Sequence, residues 1–149
     1  MQLHMLAPGA ALALWTLIVL LWLTIARFSA FGKAGIDVAK APPGLRGGDI
    51  EDRLPAPVAW KSHNYTHLLE QPTIFYPIVI ILALAGPAAM DIWLAWAYVA
   101  IRIVHSIWQS TVNRISVRAN LFFLSTLILL VLAVRAVMIT VSADIGGIA

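Results

Sequence analysis

The stretch HNYTHLLEQPTIFYPIVIILALAGPAAM, His63 to Met90, decides how the chain reads. Its first ten residues carry two histidines, an asparagine and a carboxylate. From Thr73 to Met90 it holds no charged residue, close to the ~20 apolar residues that cross a bilayer as a helix. At about 100° per residue, His63, His67 and Glu70 fall within about 60° of one another on one helix face. Polar groups at lipid depth are costly and normally have protein or water partners. This segment is therefore the first place to look for function.

Outward from it, the whole chain has the same character. Of 149 residues, 61% are hydrophobic and 11% charged, against about 25% charged in soluble domains. This is the composition of an integral membrane protein, and the length suits one domain, residues 1–149. The net charge of +3 is small and its basic residues are dispersed, which excludes a nucleic-acid surface. The chain has no cysteine, so it can form no disulfide and supply no thiolate of its own.

Four apolar segments are expected as membrane helices, at about 8–26, 63–90, 92–113 and 119–140. They lack period-2 alternation, so helices win over barrel strands, and the fold class is an all-α, four-helix membrane bundle. The first segment lacks a basic n-region and is long for a signal peptide, so it reads as a retained helix. A Pro- and Gly-bearing loop at about 31–60 is either an ordered cap over a site or a flexible connector, the connector being the default reading. Ala85-Gly86-Pro87 predicts a tight hairpin between helices two and three. Lys33, Lys40, Arg46, Arg53 and Lys61 gather on the first connection, and Arg114 and Arg118 on the third. The positive-inside rule puts those connections in the cytoplasm and both termini outside.

The third segment has its own polar stripe. Arg102, His105, Gln109 and Asn113 cover about 80° of one face, with Ser106 beside them. An arginine deep in a membrane helix costs about 2.5–3.5 kcal/mol, and Glu70 is the carboxylate available in that half of the bundle. An intramembrane Glu70–Arg102 ion pair is therefore expected, as a lock on helix register or as a partly free anion site. His63 and His67, at i, i+4, could join Glu70 and His105 as metal ligands, a weak signal from spacing alone. Arg114 and Arg118 read as headgroup anchors, with anion binding at Arg118 the minority reading. Arg135 is expected to snorkel, and Trp60, Trp93 and Trp96 to anchor at interfaces. His4 lies at the opposite end by topology. The sequence has no Ser-His-Asp pattern, phosphate loop or haem-attachment motif.

Asn64-Tyr65-Thr66-His67-Leu68-Leu69-Glu70-Gln71-Pro72-Thr73-Ile74-Phe75-Tyr76 resembles helix two of the MAPEG proteins, the membrane-associated proteins of eicosanoid and glutathione metabolism, and in particular a bacterial branch. Ala97 to Ser106 is similar to their third helix, and Asn113, Val117 and Arg118 continue the likeness, which covers about Trp60 to Ala136. The resemblance implies a homotrimer, a bacterial inner membrane, and glutathione held between subunits near the cytoplasmic face. The family's helix-two pattern, Arg-x-x-x-Asn-x-x-Glu, keeps only its Glu here. Matched on Glu70, its Arg falls on His63 and its Asn on His67, and Pro72 sits one residue closer to the Glu than in the eicosanoid branch. In the helix-three pattern Arg-x-x-Tyr-x-x-x-Tyr, Arg102 matches while His105 and Gln109 replace the tyrosines. The resemblance thus implies His63, Asn64, His67, Glu70, His105 and Gln109 around glutathione, with Arg102 and Arg118 in the catalytic role. Arg114 is the other candidate for the helix-four arginine. A histidine in an arginine's place binds a carboxylate by charge only when protonated.

Three functions follow as expectations. One is a glutathione- or thiol-dependent transferase or peroxidase for a lipophilic substrate, with the sulfur brought by the cosubstrate. Another is a non-catalytic subunit of a larger membrane complex or a lipid-binding scaffold, its polar stripes serving assembly. The least favoured is a metal or proton site of His63, His67, Glu70 and His105.

Overall fold

In a computed structural model, which describes residues 1–142, the chain folds into five α-helices and no strand among those residues. They are α1 (Gln2–Ala34), α2 (Ala56–Leu68), α3 (Pro72–Ala85), α4 (Ala89–Thr111) and α5 (Ile115–Ser142). Helices α2 and α3 together make one span, so four stretches are long and apolar enough to cross a membrane. The expected four-helix membrane bundle is the observed fold. The tail beyond Ser142 lies outside the described residues.

Helix boundaries depart from the apolar runs for a physical reason. Hydropathy marks what lipid covers, whereas a helix runs as long as its backbone ladder holds. Helix α1 starts six residues before Pro8 and continues past Ala26 to Ala34. Its 33 residues make about 50 Å at ~1.5 Å each, well beyond a ~30 Å hydrocarbon core. Gly35 ends it at φ 64°, a left-handed cap suited to a residue without Cβ. Helix α2 starts at Ala56, not His63, with Pro57 in its first turn, where a missing N–H costs nothing. The single helix expected over 63–90 is broken at Leu69–Gln71. Pro72 cannot donate to the carbonyl four residues earlier, and its ring crowds that carbonyl. The hairpin falls where expected, with Gly86 at φ 90°, and α4 starts at Ala89 rather than Ile92.

Packing forms a ring in which α1 touches α3 and α4, and α5 touches the same two; α2 lies against α1 and α4. Met5, Leu12 and Val19, seven residues apart along α1, are fully buried. They join Phe75, Val79, Leu82, Tyr98, Val99 and Leu132 in the main core, where Phe75 stacks on Tyr98 at 4.4 Å. Large apolar side chains such as Leu17, Leu21, Phe123, Leu127 and Leu130 face outward, which suits lipid rather than water.

The segment between α1 and α2 corrects the connector reading. Ile50, Leu54 and Val58 bury against Ala30 and Phe31. Two 3-10 turns, Val38–Lys40 and Gly47–Arg53, shape it. Arg27 reaches from α1 to Glu51 at 3.1 Å and to Ser62 at 3.1 Å. The segment is an ordered cap over the end of α1, because an apolar i, i+4 pair (Ile50, Leu54) lies within its polar sequence.

Candidate functional site

The polar stripe of α4 faces inward. Arg102, His105, Ser106, Gln109 and Ser110 are all buried, Arg102 at 1% exposure. Helix α2 answers it with Asn64, fully buried, whose Nδ2 donates to Ser106 Oγ at 2.7 Å and Ser110 Oγ at 2.9 Å. Trp15 Nε1 of α1 donates to the same Ser106 oxygen at 3.0 Å. Within the break, Gln71 donates to Thr126 of α5 at 2.8 Å and accepts from Tyr98 at 3.4 Å. These bonds satisfy buried dipoles and tie helices together.

The expected Glu70–Arg102 ion pair does not form. Glu70 is exposed at the break, and the ion pairs among the described residues use Asp37, Glu51 and Asp91. Arg102 Nη2 instead donates to the carbonyl of His67 at 3.1 Å. The physical cause is the interruption at Pro72. The last carbonyls of α2 lose their ladder partners, and the negative end of a helix attracts a cation. Arg102 thus meets a backbone dipole in place of a carboxylate. Its Nε and Nη1 are buried without a partner among the described residues.

The proposed metal cluster does not assemble either. Among the described residues no group of three or more His, Cys, Asp or Glu could hold an ion. His63 points away, 3.0 Å from Glu51 Oε2, while His67 and His105 stack face to face at 4.9 Å. Arg135 is not a snorkelling residue. Its Nε and Nη2 grip Asp91 at 2.9 and 3.0 Å, and Asp91 also accepts from Ala88 N at the start of α4. Asp91 escaped the sequence reading; the signal was a carboxylate at the third position of a helix.

Two of the histidines and one arginine do converge. A cavity of about 440 Å³ is lined by His67, His105, Arg118, Ile115, Ala119, Phe122 and Phe123. Helix α4 ends with Asn113 at φ 56°, a left-handed conformation that asparagine tolerates. Its Oδ1 then accepts from Arg118 Nη1 at 2.7 Å. The turn that stops α4 therefore also aims the arginine of α5. Arg118 Nε and His67 Nδ1 are buried with no partner among the described residues. Among the described residues no carboxylate lines the cavity. The apolar wall was missed, although Ile115, Ala119 and Phe122 share a helix face with Arg118 by their spacing. Of the other expected site residues, Asn64 is spent on the serines and Gln109 is buried in the bundle, its Oε1 without a partner among the described residues. His63, Glu70 and Arg114 are exposed, away from this lining.

Four apolar spans, an inward polar stripe and a cationic cavity beside the helix-two break define a multi-pass helical membrane protein. Comparison with protein families gives the more particular assignment: the MAPEG family model matches residues 5–138, and the chain belongs to the MAPEG family. No curated protein and no solved structure gives a significant match.

Proposed function

We propose that the chain binds an anionic thiol of the glutathione type at the His67–His105–Arg118 cavity, for transfer to, or reduction of, a lipophilic substrate. The observation that carries this reading is the cavity's composition among the described residues: a guanidinium and two imidazoles, no carboxylate, and two phenylalanines. Glutathione or a related thiol would supply the sulfur nucleophile that a cysteine-free chain lacks. Arg118, held by Asn113, would favour the thiolate over the thiol beside it, since a nearby cation stabilises the anion. The unpartnered N–H of Arg118 and, in one tautomer, that of His67 are donors for carboxylate or thiolate. Phe122 and Phe123 would take the apolar partner. Catalytic duty thus rests on Arg118, with Arg102 holding the helix-two break behind it. His63, Asn64, Glu70 and Gln109 have no part in this lining, so the thiol's peptide is held differently from the pattern the resemblance implies. A homotrimer, in keeping with the family, and a cytoplasmic placement of the cavity in a bacterial inner membrane, in keeping with the positive-inside pattern and the sequence resemblance, are part of this proposal. Titration of the detergent-purified protein with glutathione tests it: thiolate absorbance should develop on binding and vanish in Arg118→Ala. Absence of binding at millimolar glutathione would overturn it.

A second reading, a non-catalytic subunit or lipid scaffold, draws on the internal use of Asn64, Ser106, Ser110 and Gln71. In that case Arg118→Ala leaves every measured activity unchanged, and the protein co-purifies with a fixed partner in fixed ratio.

A further inference from the structure

A second cavity, of about 260 Å³, opens between the end of α1 and the cap segment. Arg27 and Phe31 line it from the helix, and Ile36, Leu45, Arg46 and Ile50 from the segment. Arg27 is the first charged side chain in the sequence, ending an apolar run that begins near the amino terminus. Such a residue marks where a membrane helix leaves the hydrocarbon. The cavity therefore sits at headgroup level, walled by apolar side chains and two guanidiniums.

Of the two guanidiniums, Arg27 is paired with Glu51, whereas Arg46 makes no ion pair among the described residues. Arg27 Nη2 reaches Glu51, Ser62 and, at 3.4 Å, the carbonyl of Gly47, while Nε is buried without a partner among the described residues. Glu51 is shared with His63 and is not part of the lining, which contains no carboxylate among the described residues. Arg46 is exposed and spends only its backbone N–H, on Asp49. Val38 and Leu45, both in the lining, are 52% and 42% exposed. Gly47 permits the geometry, since a Cβ there would collide with the Arg27 guanidinium. The exposed, unpaired Arg46 guanidinium is the group that recognises a phosphate, with the Arg27–Glu51 pair beside it as wall, and adjacent exposed apolar side chains suit the first carbons of acyl chains.

We propose that this cavity binds the phosphate of an anionic phospholipid, with the glycerol and upper acyl carbons against Val38 and Leu45. The site shares no residue with the His67 cavity and stands or falls independently of it. The full chain, delipidated in neutral detergent, is probed with phosphatidylglycerol, phosphatidylcholine and inorganic phosphate, using native mass spectrometry and thermal unfolding. Phosphatidylglycerol is expected to bind and to raise the unfolding temperature, with the other two giving little. Arg46→Glu should weaken that binding at least about tenfold, the loss expected for a charge-assisted contact. Its lipid-free unfolding temperature should not change, because the side chain holds nothing in the fold. Leu45→Ser should weaken binding less, and Arg46→Lys should recover part of it. Equal binding of phosphatidylcholine, equal stabilisation by inorganic phosphate, or full phosphatidylglycerol binding by Arg46→Glu would each overturn the proposal.

Discussion

Two arginines of α5 have opposite surroundings. Arg135 meets Asp91 through two hydrogen bonds, and the carboxylate cancels its charge. Arg118 is held by one hydrogen bond, at 2.7 Å, to the neutral amide of Asn113. A guanidinium on a carboxylate joins α5 to α4 and has little attraction left for a ligand. A guanidinium on an amide is positioned while its positive charge stays uncompensated. Arg102, on a backbone carbonyl, is of the second kind, but it is sealed inside the bundle at 1% exposure. Acceptor chemistry and access together single out Arg118.

The largest effect that sharpens this comparison should come from Asp91→Ala. It removes both Arg135 bonds and the helix cap on Ala88, and a lost cap alone costs about 1 kcal/mol. The unfolding temperature should drop more than in any other variant here, while glutathione binding per folded molecule holds. Next, Asn64→Ala deletes two buried hydrogen bonds and leaves Ser110 without that donor, a loss of about 2 kcal/mol measured by thermal or denaturant unfolding. Arg118→Ala should leave the unfolding temperature within the ±0.5 kcal/mol typical of surface changes and weaken anionic thiol binding at least about tenfold by calorimetry. The smallest effect is expected for Asn113→Gly, which keeps the left-handed turn but frees the guanidinium. Thiol affinity should fall a few-fold, about 0.5–1 kcal/mol for one hydrogen bond. If Arg118→Ala unfolds the protein as Asp91→Ala does, the two arginines are alike and the contrast is broken.

Much of this was legible from residue order. The apolar runs give four spans, and the motif around His67 and Glu70 gives a family that the match over residues 5–138 bears out. The inward stripe of Arg102, His105 and Gln109 follows from helical spacing alone. The partners did not follow. Glu70 seemed the natural counter-charge for Arg102, because charge pairing is the usual remedy for a buried cation. The break at Pro72 exposes a carbonyl that serves instead, and that acceptor exists only once the helix is interrupted.

Composition and periodicity by themselves determined a helical membrane protein, since removing apolar surface from water acts locally and needs no knowledge of neighbours. Which polar groups meet depends on how helices rotate against one another, and a few degrees move an arginine from carboxylate to carbonyl. Only the tertiary structure put His67, His105 and Arg118 around one cavity, sent His63 to Glu51, and joined Arg135 to Asp91. Those pairings are long-range, and hydrogen bonds decide them within an ångström.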